Sequence, residues 1–80
     1  MIKLEFEYNT VKYRLSIQDK KEYFIINLYK RDRFISNRVI NKKNERIFIL
    51  KVKDFLVRYG VDMSIIEVEL LLEGIFNGKE

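Results

Sequence analysis

Eighty residues with a formal net charge of +4, 48% apolar and 14% aromatic side chains suffice for one small packed domain, and the chain is too apolar to read as disordered. The absence of Cys excludes disulfides and thiolate metal sites, and the absence of His removes the commonest general base and metal ligand. No window approaches 18 apolar residues, so no membrane partner is expected. The opening MIKLEFEYNT, with acids at alternate positions, is not a signal peptide, and a cytoplasmic protein is the expectation.

Charge is unevenly placed: residues 1–10 sum to −1, residues 11–60 to +9 and residues 61–80 to −4. A basic middle points to a polar or acidic partner met there.

The first 18 residues alternate strictly. Ile2, Leu4, Phe6 and Tyr8, then Val11, Tyr13, Leu15 and Ile17, recur with a period of two, which predicts two strands with one buried face. A two-residue loop at Asn9-Thr10 pairs Tyr8 with Val11, Phe6 with Tyr13, Leu4 with Leu15 and Ile2 with Ile17. On the other face the same register sets Glu7 against Lys12 and Glu5 against Arg14, so opposite charges meet. A one-residue slip would undo both sets.

After the polar turn QDKKE, the run YFIINLYK predicts a third strand with Phe24, Ile26 and Leu28 on the buried face and Tyr23, Ile25, Asn27 and Tyr29 on the other. A second tight turn at Arg31-Asp32 would pair Tyr29 with Phe34, Asn27 with Ser36 and Ile25 with Arg38. Ile35 and Val39 would then face inward, with Asn37 a polar blemish near the edge.

From Asn44 the period changes. Phe48, Val52, Phe55, Leu56 and Tyr59 form one helical stripe ending at Gly60, a residue suited to follow a helix. The competing reading is a fifth strand through RIFILKV, which is rich in β-branched residues. A second helix begins at the capping box Ser64-Ile65-Ile66-Glu67, carries Ile65, Val68, Leu71, Leu72, Ile75 and Phe76 on its core side, and stops at Asn77-Gly78. The expectation is a single α+β domain over 1–80: a four-stranded antiparallel meander over about 2–40, then helices over about 45–59 and 64–77 packed on one face of the sheet.

The sheet's other face would carry Lys12, Arg14, Tyr23, Ile25, Tyr29, Phe34, Arg38 and Ile40, with Arg31 and Arg33 at the hairpin tip. Aromatics beside cations can stack unpaired bases and grip phosphates, and the same residues dominate the centres of protein interfaces. On the second helix, Ile66, Leu70 and Gly74 fall at i, i+4 and i+8 away from the core side. A glycine inside a helix is costly, so close approach of the first helix or of a second subunit would account for it.

Catalysis is not expected. Ser16, Ser36 and Ser64 have no histidine to activate them, and the carboxylates are either partnered on an exposed sheet face or spread along a helix. No cofactor or metal is expected. A binding protein remains, directed at a protein or nucleoprotein partner or, as the alternative, at nucleic acid itself. In length, in its Lys/Asn/Ile-rich composition and in lacking Cys, His, Trp and Pro, the chain resembles the small accessory proteins of bacteriophages and mobile elements, anti-CRISPR proteins among them. That resemblance implies an inhibitor or adaptor whose target is a nucleic-acid machine.

Overall fold

Alternation becomes sheet as the sequence requires. In a computed structural model describing residues 1–76, β1 (Ile2–Tyr8), β2 (Val11–Asp19), β3 (Tyr23–Lys30) and β4 (Arg33–Asn41) form one antiparallel sheet in the order β1-β2-β3-β4. Two helices follow, α1 (Glu45–Arg58) and α2 (Ile65–Leu71), giving an α+β fold. The chain divides into two compact units, Met1–Asn41 and Lys42–Glu80.

The β1–β2 register runs from Ile2–Ile17 to Tyr8–Val11 and includes Glu5–Arg14 and Glu7–Lys12, as the alternation predicts. Its turn has positive φ at both Asn9 (52°) and Thr10 (63°), and the β3–β4 turn repeats this at Arg31 (51°) and Asp32 (67°). Positive φ at both central positions is the turn whose twist matches that of paired strands. Leu15, Ile17, Ile26 and Leu28 are fully buried on one face, joined by Phe24 and Tyr13. Full burial of one such aliphatic side chain contributes about 1.5–3 kcal/mol.

The structure corrects β4. Lys30 pairs with Arg33 and Tyr29 with Phe34, but Leu28 then pairs with Ser36, leaving Ile35 as the extra residue of a β-bulge. One extra residue reverses the parity of everything beyond it. Arg38 becomes the partner of Ile26 and Ile40 the partner of Phe24, on the buried face, while Val39 moves beside Ile25 and Asn37 beside Asn27 on the outer face. Ile40 is 2% exposed and Val39 60%. Ser36 and Arg38, brought to the buried face at its edge, are half-buried and partnered.

In the second unit α1 is a helix, which settles the ambiguity over RIFILKV. Asn44 caps it by accepting from the Ile47 N–H at 3.0 Å, and Phe48, Ile49, Val52, Phe55 and Leu56 are buried. At its end Gly60 takes φ +89°, the Gly60 N–H donates to the Val57 carbonyl, and the Val61 N–H reaches back to that of Leu56. Val61, fully buried, completes this left-handed stop.

The capping box at α2 is closed in both directions: the Ser64 Oγ accepts from the Glu67 N–H at 3.1 Å, and Glu67 Oε1 accepts from the Ser64 N–H at 2.9 Å. The helix is shorter than its pattern suggests. It ends at Leu71, and Gly74 lies past it with φ +86°. A Cβ at Gly74 would meet nothing within 4 Å, so this glycine serves a chain reversal rather than close packing. Val68, Leu72 and Ile75 are nonetheless buried. The expected stop at Asn77-Gly78 lies outside the described residues.

Two substitutions test these reversals. Thr10→Gly should raise stability by about 0.5–1 kcal/mol in a denaturant titration, because a β-branched residue is held in the left-handed region where glycine is unstrained. Gly60→Ala should cost about 1 kcal/mol, and Gly60→Asn less, since asparagine tolerates that conformation.

Candidate functional site

Arg14 and Tyr29 are register partners across β2 and β3, and Tyr29 and Phe34 are partners across β3 and β4. Cross-strand partners share a face, so these three side chains form a row on the outer face. The row lies at the end of the sheet that carries both tight turns. The Arg14 guanidinium carbon sits 4.3 Å from the centroid of the Tyr29 ring. Phe34 meets that ring edge-on, with centroids 5.7 Å apart and planes at 71°. From the tip, Asp32 closes the group: its Oδ1 accepts from Arg14 Nη1 at 2.9 Å.

This arrangement pins Arg14 rather than presenting it. Its side chain is 24% exposed against 88% for Asp32, and its enclosed Nε–H has no hydrogen-bond partner among the described residues. The ion pair contributes at most about 1 kcal/mol with one partner so exposed, and stacking on the ring adds about 0.5–1 kcal/mol. The Glu5–Arg14 ion pair expected from the register does not form among the described residues. The backbones are opposite, but the guanidinium is taken by Asp32.

The remaining expected residues divide. Lys12 is exposed, and its carbonyl accepts the Arg31 N–H at 2.9 Å, which seats the second hairpin tip against β2. Arg31 and Arg33 are exposed on that tip. Lys12, Arg14, Tyr29 and Phe34 therefore share the outer face beside Arg31 in the turn, whereas Arg33, as partner of Lys30, has the parity of the buried face and adds its charge only at the exposed tip. Tyr23 lies apart: it pairs with Asn41 at the far end of β3. Arg38 is on the opposite face. Ile66 and Leu70 are 64% and 66% exposed on α2, with Gly74 beyond its end.

Two members of the surface escape sequence reasoning. Asp32 reads as a turn residue, and Val39 reads as core. The doubled apolar pairs Phe34-Ile35 and Val39-Ile40 fit either parity, so only the inward Asn37 demanded by the unbulged register hinted at the shift.

Beside the row, a shallow groove of about 700 Å³ is lined by Phe6, Thr10 and Tyr13 and by six charged residues. Its carboxylates Glu5, Glu7 and Asp32 balance its cations Lys12, Arg14 and Arg31, so it has no excess positive charge with which to hold a phosphate. Among the described residues no group of three or more His, Cys, Asp or Glu side chains could hold a metal ion. No described helix is long and apolar enough to cross a membrane.

The choice Arg14 makes between carboxylates is measurable. A double-mutant cycle of Arg14→Ala with Asp32→Asn should give a coupling of about 0.2–1 kcal/mol that shrinks with added salt. The cycle of Arg14→Ala with Glu5→Gln should give almost none. The reverse ranking would return Arg14 to β1.

Comparison of the sequence with protein-family profiles and curated proteins, and of the fold with solved structures, finds no match.

Proposed function

We propose that this is a non-catalytic binding protein, an inhibitor or adaptor that docks on a larger protein or nucleoprotein complex through the β3–β4 end of its outer sheet face. The observation that carries this reading is the exposure of Phe34 (55%) and Val39 (60%) on an edge strand, next to a tip bearing Lys30, Arg31 and Arg33. An apolar patch with a cationic rim has the anatomy of a protein interface. Direct nucleic-acid binding fits less well. A stacking platform needs free aromatic planes, and here one face of Tyr29 is covered by Arg14 and the ring is abutted by Phe34. The resemblance in size and composition to phage accessory proteins supports a target that itself handles nucleic acid, whose acidic or polar surfaces a basic domain would meet.

In this reading Phe34 is the anchor, Val39 and Ile25 extend it, and Arg31 and Arg33 steer the encounter. Tyr23 and Arg38 drop out of the contact set, the first by distance along β3 and the second by its face.

Affinity capture from a bacterial lysate, comparing wild type with a folded Phe34→Ala/Val39→Ser variant, should yield a protein retained by the first and lost by the second. With that protein in hand, Phe34→Ala should cost about 2 kcal/mol or more of binding. Arg31→Gln/Arg33→Gln should chiefly slow association and flatten its salt dependence. Arg38→Ala should leave binding intact and lower stability instead. Tight, salt-sensitive binding of bare oligonucleotides by wild type and Phe34→Ala alike would overturn the protein-directed reading.

A further inference from the structure

The surface proposed above lies towards β4; the other edge of the sheet has a different character. β1 is seven residues long, has no bulge and no proline, and alternates half-buried Ile2, Leu4, Phe6 and Tyr8 with exposed Lys3, Glu5 and Glu7. Its neighbours bury the corresponding inward side chains completely: Leu15, Ile17, Ile26 and Leu28 are each 0% exposed. A regular edge strand with its apolar row half open is the feature that soluble proteins ordinarily blunt with bulges or inward charges. β4, the opposite edge, carries a bulge; β1 carries none.

The ladder also says which backbone groups of β1 are free. The Lys12 carbonyl accepts from Arg31, in the turn that follows β3, and so points away from β1. Lys12 and its partner Glu7 are therefore a non-hydrogen-bonded pair, and the N–H and C=O of Glu7 point outward. Alternation extends this to Glu5 and Lys3. Among the described residues these outward groups have no backbone partner.

We propose that β1 is the docking edge for a second copy of this chain, the two β1 strands pairing antiparallel about a two-fold axis at Leu4. In that register Leu4 faces the partner's Leu4, Ile2 faces Phe6, and Lys3 faces Glu5 twice over. Lys3 and Glu5 are the residues whose backbone groups point outward, so about four main-chain hydrogen bonds form at the places where opposite charges meet. Leu4 falls at the non-hydrogen-bonded position, where strands approach to about 4.5 Å and side chains touch most closely. The charges select this register. An axis at Lys3 would oppose two lysines, an axis at Glu5 two glutamates, and an axis at Phe6 would set Glu5 against Glu7. Of the axes that pair five or more β1 residues and keep the apolar row continuous, only the one at Leu4 is free of like-charge pairs. The product is a continuous eight-stranded sheet with a binding surface at each far end.

The test exchanges the charges in the full-length protein. Wild type should sediment as a dimer at high-micromolar concentration. Lys3→Glu and Glu5→Lys should each weaken dimerisation about tenfold or more, since each turns two attractive cross-strand pairs into two repulsive ones. Mixing the two single variants should restore a dimer containing one of each, and Lys3→Glu/Glu5→Lys should dimerise with itself. Lys3 faces Ser16 within its own sheet, so Lys3→Glu leaves the internal β1–β2 charge pattern undisturbed. Circular dichroism of each variant reports whether the fold is retained. A wild type that stays monomeric would overturn the proposal. So would a dimer indifferent to these exchanges but abolished by Ile66→Ser/Leu70→Ser, which would assign association to α2.

Discussion

Side-chain placement within each of the two hairpins, β1–β2 and β3–β4, depends on a reversal of two residues. With Asn9-Thr10 and Arg31-Asp32 in the left-handed region, the strands leave each turn already twisted to pair, and the first cross-strand partners are set. Because strand side chains alternate, this one choice assigns every following residue to a face until something changes the count. Neither turn contains glycine, so the preferred geometry is imposed on residues that resist it. The pairing of four strands holds them there.

The count changes once, at Ile35. Without the bulge, Arg38 would join Tyr29 and Phe34, and Val39 would be inside. With it, Ile40 is buried beside Phe24 and Val39 extends the apolar outer surface. The bulge also lies next to the Tyr29–Phe34 pair, at the end where the cationic tip projects. One inserted residue therefore decides the composition of the candidate site as well as the character of the edge strand.

Arg14 links the parts of that end. It stands on β2, stacks on a ring from β3 and bonds the turn between β3 and β4. This cation is used structurally, while Phe34 and Val39, and Arg31 and Arg33 at the tip, remain exposed. A groove of balanced charge lies on one side of it and an exposed apolar patch on the other. The half-open β1 edge is a separate resource, set apart by its lack of a bulge.

What the sequence by itself determined is what repeats locally. The β1–β2 register follows from eight alternating apolar residues and two charge pairs, the start of α2 from Ser64 and Glu67, and the end of α1 from a glycine after an apolar stripe. Each rests on one short segment of chain, where spacing and chemistry leave one consistent answer. What only the tertiary structure decided is where the sequence admits two answers of similar local quality. Phe34-Ile35 and Val39-Ile40 satisfy either parity, so the pairing of β4 along its whole length had to choose. The apolar pattern through Phe76 continues past the end of α2, because burial of Leu72 and Ile75 does not require them to be helical. Glu5 and Asp32 both competed for Arg14. A long side chain selects among acceptors by three-dimensional reach, and the acceptor it took lies 18 residues away in the chain.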